Sequence, residues 1–294
     1  MARHAAPRQV TAVVSEIDVL LIGHMTVDLV AEGRMLGGTV SYAAPTYAAF
    51  GHRVGILTSA ASDEPLLEHL RAYGEVVARP SEHSLTYENV YSEGGRQQFV
   101  RATASPITFD DVPNVWKSAR YVHLGPLAGE ICPLEMARGF PKATIMLTLQ
   151  GMLRRWDADG LVKFRPWLDE EALRRVSIVV YSEEDVSQFT QLTEELRRKC
   201  KHVVVTNGRK GGAYYHAGEA ILYDSLPVEP LDLTGAGDVF AASLLGSLPT
   251  VGSDVEKATR LAGRLAAYSV TRAGLDSAPT KAEIARELRN LAED

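Results

Sequence analysis

Apolar residues gather along this chain in short unbroken runs, with helical patterns between many of them. The first run, Ile17-Asp18-Val19-Leu20-Leu21-Ile22-Gly23, is closed by glycine and reads as a buried strand. Gly37-Gly38 opens a segment of small residues, Thr39 to Phe50, that ends at Gly51 and predicts a helix with a glycine stop. Pro45 lies inside it, which predicts a kink or a later start. Arg53 to Leu57 reads as a second strand and Glu64 to Ala72 as the next helix. Ala119 to Leu124, Thr144 to Leu149, Ser177 to Tyr181 and His202 to Thr206 have the compact apolar character of buried parallel strands. Helical patterns cover Glu184 to Lys199, Asp238 to Leu248, Val255 to Thr271 and Lys281 to Ala292. Alternation of this kind predicts an α/β fold, a mainly parallel sheet with helices on both faces.

One stretch breaks the alternation. Thr86 to Tyr91 and Gln97 to Val100 are strand-like and flank Gly94-Gly95, which is a hairpin signal. The two runs are polar on both faces, so they predict a surface flap or a sheet covering a wet site. The expected organisation is a loose leader over residues 1–15 and one domain over 16–294. A small β-sheet lid is expected from about 29–37 and 84–103.

Composition narrows the function. The chain has 294 residues, 46% hydrophobic and 23% charged, enough for one large α/β domain or two small ones. A formal net charge of −6 argues against a general nucleic-acid binder. No block of Lys and Arg suggests an anionic membrane surface, and no apolar run approaches the roughly 20 residues of a membrane helix. The two cysteines, Cys132 and Cys200, form no C-x-x-C pair, which fits a reducing compartment such as the cytoplasm.

The sharpest chemical signal is Asp232-Leu233-Thr234-Gly235-Ala236-Gly237-Asp238-Val239-Phe240. Glycines ahead of an apolar helix leave backbone amides free at a positive helix end, which suits an anion. Asp238, in the first turn, stands where a carboxylate takes a proton from a substrate hydroxyl facing the same anion hole. An ordinary capped helix has the same residue types. Gly235-x-Gly237 is also half of a dinucleotide fingerprint, but Pro227 and Pro230 spoil the strand that should precede it.

The run Asp-x-Thr-Gly-Ala-Gly-Asp-x-Phe closely resembles the C-terminal signature of the PfkB/ribokinase family of carbohydrate and nucleoside kinases. Gly23-His24-Met25-Thr26-Val27-Asp28, Leu36-Gly37-Gly38-Thr39 and Val203 to Gly212 resemble further family segments, in family order, over residues 17 to about 280. The resemblance implies a ribokinase-like, doubly wound fold and ATP-dependent phosphorylation of a hydroxyl on a sugar, polyol or nucleoside. It implies Asp238 as base and Gly235, Ala236 and Gly237 as anion hole. Asp28, Gly37 and Gly38 then meet the substrate, with Arg96 at the lid tip in reach of substrate or phosphate. Thr206, Gly208, Gly211 and Thr234 line the ATP site. The family's Asn-x-x-Glu stands here as Ser182-Glu183-Glu184-Asp185, so Asp185, Glu184 and Asp232 are the candidates for Mg²⁺, with a monovalent cation such as K⁺ as an option. Thr148 to Arg154 resembles an inositol-kinase-like branch, with Gln150 toward a polyol. In relatives such a lid often also forms a dimer interface, so the resemblance allows a homodimer through it, which the polar faces of the lid leave undecided. A non-catalytic sugar or nucleoside sensor and a nucleotide-binding oxidoreductase stay open as other readings.

Overall fold

The computed structural model describes residues 15–31, 33–92, 95–187, 189 and 191–293, without the side chains of 91, 92, 95 and 96. The expected leader, but for Ser15, lies outside the described residues. β1 (Val19–Ile22) is fully buried, with Val19 and Leu21 in one apolar cluster and Leu20 and Ile22 in another. A strand with both faces apolar needs a layer on each side, and that dictates the three-layer build.

The chain leaves β1 for β2 (Thr26–Val30) and β3 (Gly33–Gly37), then returns as α1 (Thr39–Ala49). β4 (Val54–Ala61), α2 (Leu67–Arg71) and β5 (Glu75–Ser81) follow, then the hairpin β6 (Leu85–Ser92) and β7 (Gly95–Ala102). Next come β8 (Tyr121–Leu124), α3 (Pro133–Gly139), β9 (Thr144–Thr148), a short hairpin β10 (Arg154–Trp156) and β11 (Val162–Phe164), and α4 (Glu170–Arg175). β12 (Ile178–Ser182), α5 (Gln191–Lys199), β13 (His202–Thr206), β14 (Gly212–His216) and β15 (Glu219–Tyr223) complete the strands. The chain ends in α6 (Ala236–Ser247), α7 (Val255–Ser269) and α8 (Lys281–Glu293).

The main sheet runs β15-β14-β13-β12-β9-β8-β1-β4-β5. It is parallel from β13 through β5, and β14 and β15 are antiparallel. α1, α6 and α7 supply the cluster on one face, and α3, α4 and α5 the cluster on the other. The lid is a separate sheet, β3-β2-β6-β7. Among the described residues no helix is long and apolar enough to cross a membrane.

Four expectations change. The helix expected over Glu184 to Lys199 is two pieces, a 3-10 turn at Glu184–Val186 and α5 from Gln191. Asp185 Oδ2 accepts the Ser182 amide at 3.0 Å and Ser182 Oγ accepts the Glu184 amide at 3.1 Å. Those side-chain bonds compete with helical ones. The second strand reaches Ala61, and the following helix shrinks to Leu67–Arg71. α1 starts at Thr39 and continues through Pro45, because burial of nearly its whole length outweighs the hydrogen bond the ring forfeits. The lid is not polar on both faces. Leu85, Tyr87 and Val100 pack with Leu127 into a small core at its base, since alternate residues of β6 and β7 turn inward there.

Candidate active site

The loops at the C-terminal ends of β1, β8, β9, β12 and β13 share one edge of the sheet, with the lid above it. This is where an open α/β sheet places its ligands. Asp28 looks onto that edge from β2, and Thr26 Oγ1 donates to its Oδ1 at 2.9 Å. Its other oxygen lies against Gly37, where a Cβ would stand 2.3 Å from Oδ2. Gly38 holds φ +90° and begins α1, so Thr39 is delivered directly beneath.

Gly235, in the left-handed region at φ +79°, turns the chain into α6. A Cβ there would also meet the Tyr42 ring at 2.3 Å, so glycine is required twice over. Val239 N returns to Gly235 O at 2.9 Å. Among the described residues the amides of Gly235, Gly237 and Asp238 make no backbone hydrogen bond, whereas Ala236 N already reaches Leu233 O at 3.4 Å. The free donors are therefore the three outer amides, and Ala236 contributes less than expected.

Asp238 is partly buried in the first turn of α6. Burial pushes its carboxyl from the ordinary 3.8 up to about 6, and nearby Asp185 adds to the rise. A hydrogen bond from the Thr39 hydroxyl and the charge of Arg154 restrain it. A carboxylate so poised is ionised at neutral pH and more basic than usual, as a proton acceptor should be. Tyr42 is buried beside the charges of Asp28, Asp238 and Asp232. Burial first, then those three charges, hold its hydroxyl protonated well above the usual range.

On the donor side, β13 ends at Thr206, whose carbonyl accepts the Glu183 amide at 2.9 Å. Gly208, at φ +50°, opens the following turn. Gly211, at φ +80°, passes so close to Tyr223 O that a Cβ would stand 1.9 Å from it. Thr234 N donates to Asp232 Oδ1 at 2.9 Å, which shapes the approach to Gly235. Leu231 and Leu233 flank Asp232 and are more than two-thirds exposed.

The candidate metal residues do not converge. Asp185 folds back onto the Ser182 amide, Glu184 is exposed, and Asp232 is spent on Thr234. Among the described residues no group of three or more His, Cys, Asp or Glu stands at metal spacing. Asp185 alone fits a cation. It is partly buried, its pKa is raised mainly by desolvation, and a nearby positive charge would relieve that. Gln150 is half-buried in the turn after β9, at the same edge. The side chain of Arg96 lies outside the described residues.

Three residues escaped the sequence reading. Thr39 stood beside Gly37-Gly38, where a hydroxyl at a helix start was the available signal. Tyr42 gave none. Arg154 closed a motif, but its place depends on the hairpin β10–β11, which the sequence did not announce.

Residues 169–282 match the family described as pfkB family carbohydrate kinase. The ribokinase of Bacillus subtilis (strain 168) is 35% identical over 121 residues, 40% of this chain and 41% of that protein. The inositol 3-kinase of Zea mays is 32% identical over 126 residues, 42% of this chain and 32% of that protein. The matches thus span less than half the length of either relative. Among solved structures, a sulfate complex of a pyrophosphate-dependent kinase in the ribokinase family superposes with a TM-score of 0.75 at 22% identity, over 91% of this chain and 99% of that one. Arabidopsis thaliana ribokinase complexed with ribose and ATP gives a TM-score of 0.72 at 18% identity, over 94% of this chain and 99% of that one. At such identities the likeness concerns the fold. The chain has the ribokinase-like fold, and its residues 169–282 are similar to the pfkB family of carbohydrate kinases.

Proposed function

We propose that this protein transfers the γ-phosphate of ATP to a hydroxyl of a small sugar, polyol or nucleoside. The observation that carries the reading is the helix start at Gly235–Asp238, where three unbonded amides stand beside a carboxylate whose pKa lies near 6. Asp28 accepts hydrogen bonds from vicinal hydroxyls of the acceptor. Asp238 takes the proton of the attacking hydroxyl. The amides of Gly235, Gly237 and Asp238 hold the negative charge that builds on the phosphoryl oxygens. Thr39 keeps the base aligned by donating to it. Asp185 is the protein carboxylate that would hold Mg²⁺, and the ion would offset the charge of the donor phosphates.

Pyrophosphate is the rival donor, since one structural neighbour is described as using it. The exposed Leu231 and Leu233 favour ATP, because apolar surface beside an anion loop suits a purine base and serves no purpose for pyrophosphate. A homodimer through the lid belongs to the same proposal. It is supported by Met35 and Val90, large apolar side chains exposed on lid strands, and light scattering across a concentration series tests it. Both cysteines, Cys132 and Cys200, are free thiols, which supports action in a reducing compartment such as the cytoplasm.

The test is a panel of ribose, fructose, myo-inositol and nucleosides with ATP or pyrophosphate, following product formation. Acceptor-dependent turnover with ATP, lost in Asp238→Asn, is the expected result. Nucleotide binding without turnover on any acceptor would move the assignment to a non-catalytic sensor.

A further inference from the structure

Arg154 opens β10, and the hairpin it belongs to is an outgrowth of the lid rather than of the main sheet. Val100 N donates to Gly160 O at 2.8 Å, and Phe99 bridges Leu161. Gly160, at φ +86°, allows this contact, since a Cβ there would stand 2.3 Å from Val100 O. Trp156 and Val162 pack against the small core formed by Leu85, Tyr87, Val100 and Leu127. At the other end of the segment, Gly151 is pressed so closely onto Pro126 that a Cβ would meet its carbonyl oxygen at 2.2 Å. The chain is therefore pinned to the sheet edge at Gly151 and to the lid at Gly160, and Arg154 hangs between them.

Its guanidinium is aimed from the lid. Nη1 donates to Gln98 Oε1 at 3.1 Å, and Gln98 is oriented in turn by Asn89, whose Oδ1 accepts from Nε2 at 3.3 Å. Tyr87 is a further hydrogen-bond partner. Among the described residues Arg154 forms no direct ion pair. Yet its charge is felt by Asp238, by Asp185 and by Tyr87. A half-buried guanidinium within the field of two carboxylates and paired with neither keeps part of its planar donor fork unspent. With Asp238 as the proposed base and Asp185 as the proposed donor-side carboxylate, a phosphoryl group passing between them comes under the same positive charge. The surroundings are otherwise acidic, with Asp28, Asp238, Asp185 and Asp232 around the same edge.

We propose that Arg154 is the phosphoryl clamp of this site, carried in by the β10–β11 hairpin and set by Gln98 of the lid. The inference rests on the kinase reading for its chemistry, but the anion site it describes does not. Arg154 then supplies positive charge at an edge otherwise lined by carboxylates.

The experiment uses the full chain with Arg154→Lys, Arg154→Met and Gln98→Ala. Inorganic phosphate is the first probe, followed by ³¹P NMR line broadening at pH 7.5. Turnover of the best acceptor is the second. Phosphate binding should be lost in Arg154→Met with the melting temperature unchanged. Arg154→Lys should lose on the order of 10²-fold in kcat, the scale of one lost charge-stabilising donor, with KM moved by no more than about threefold. Gln98→Ala should fall between it and the native chain. Phosphate bound equally by the native chain and by Arg154→Met, or not bound by the native chain at all, overturns the inference. So does a rise in KM at constant kcat, which would make Arg154 an acceptor anchor. Phosphate binding that depends on Arg154 in a chain without kinase turnover would leave the anion site standing and overturn the kinase reading instead.

Discussion

Replacing Asp238 with asparagine should make the protein inert and more stable, and the gain should depend on pH. The native state holds this carboxyl at about 6 against an ordinary 3.8. The gap of about 2.2, at 1.36 kcal/mol per pH unit, is worth about 3 kcal/mol. The folded form binds this proton more tightly than the unfolded form, so the contribution of Asp238 to stability is lowest above pH 6 and recovers as pH falls from about 6 toward 4. Asparagine carries no charge at any pH and still offers an oxygen to the Thr39 hydroxyl. Asp238→Asn should therefore be more stable than the native chain by about 3 kcal/mol at pH 8 and by about half a kcal/mol at pH 4. Urea unfolding followed by tryptophan fluorescence at pH 8 and pH 4 measures both differences, and titrations common to the two chains cancel. A variant less stable than the native chain at pH 8, or a gain equal at both pH values, would refute the claim that burial drives this carboxyl upward. Turnover should fall by ~10²- to 10⁴-fold in the same variant.

Three further outcomes follow from the geometry. In the native chain kcat/KM should rise with pH through about 6 and lie about tenfold below its plateau at pH 5, because Asp238 works only when ionised. A flat profile between pH 5 and 8 counts against Asp238 as the base. Gly235→Ala should cost roughly 1–3 kcal/mol and most activity, since φ +79° and the Tyr42 ring both exclude a methyl group. Its melting curve and kcat check this together. Native protein should expose one thiol to Ellman's reagent and unfolded protein two, because Cys132 is exposed whereas Cys200 is buried with its thiol pushed up to about 12.

Much of the main sheet was legible because buried strands are apolar on both faces. His202–Thr206 matches the sequence reading at both ends, and the helices from Val255 and Lys281 begin where expected. Errors arose where a local bond or tertiary burial overrode the pattern. Ser182 and Asp185 bonded their own backbone and broke a helix that periodicity alone continues. Pro45 sat in a helix so deeply packed that the helix runs on past its ring. The turn into α6 with its unbonded amides was readable from Gly235 and Gly237, since glycines ahead of an apolar run mark a helix start. Tyr42 and Arg154 were not, because each acquires its meaning from elements distant in the chain. No spacing rule links Arg154 to Gln98, 56 residues away, or Tyr42 to Gly235.

The lid is fed by uninterrupted covalent path on both sides of the acceptor position. β1 runs straight into β2, and β3 runs straight into Gly38 and Thr39 at the head of α1. Under the proposed roles, Asp28 as the acceptor's anchor lies on one strand of the β2–β3 ribbon and Thr39 as the base's tether follows the other, so a displacement of that ribbon would shift both together. Coupling between acceptor and base is in this way set by chain connectivity rather than by any single side chain.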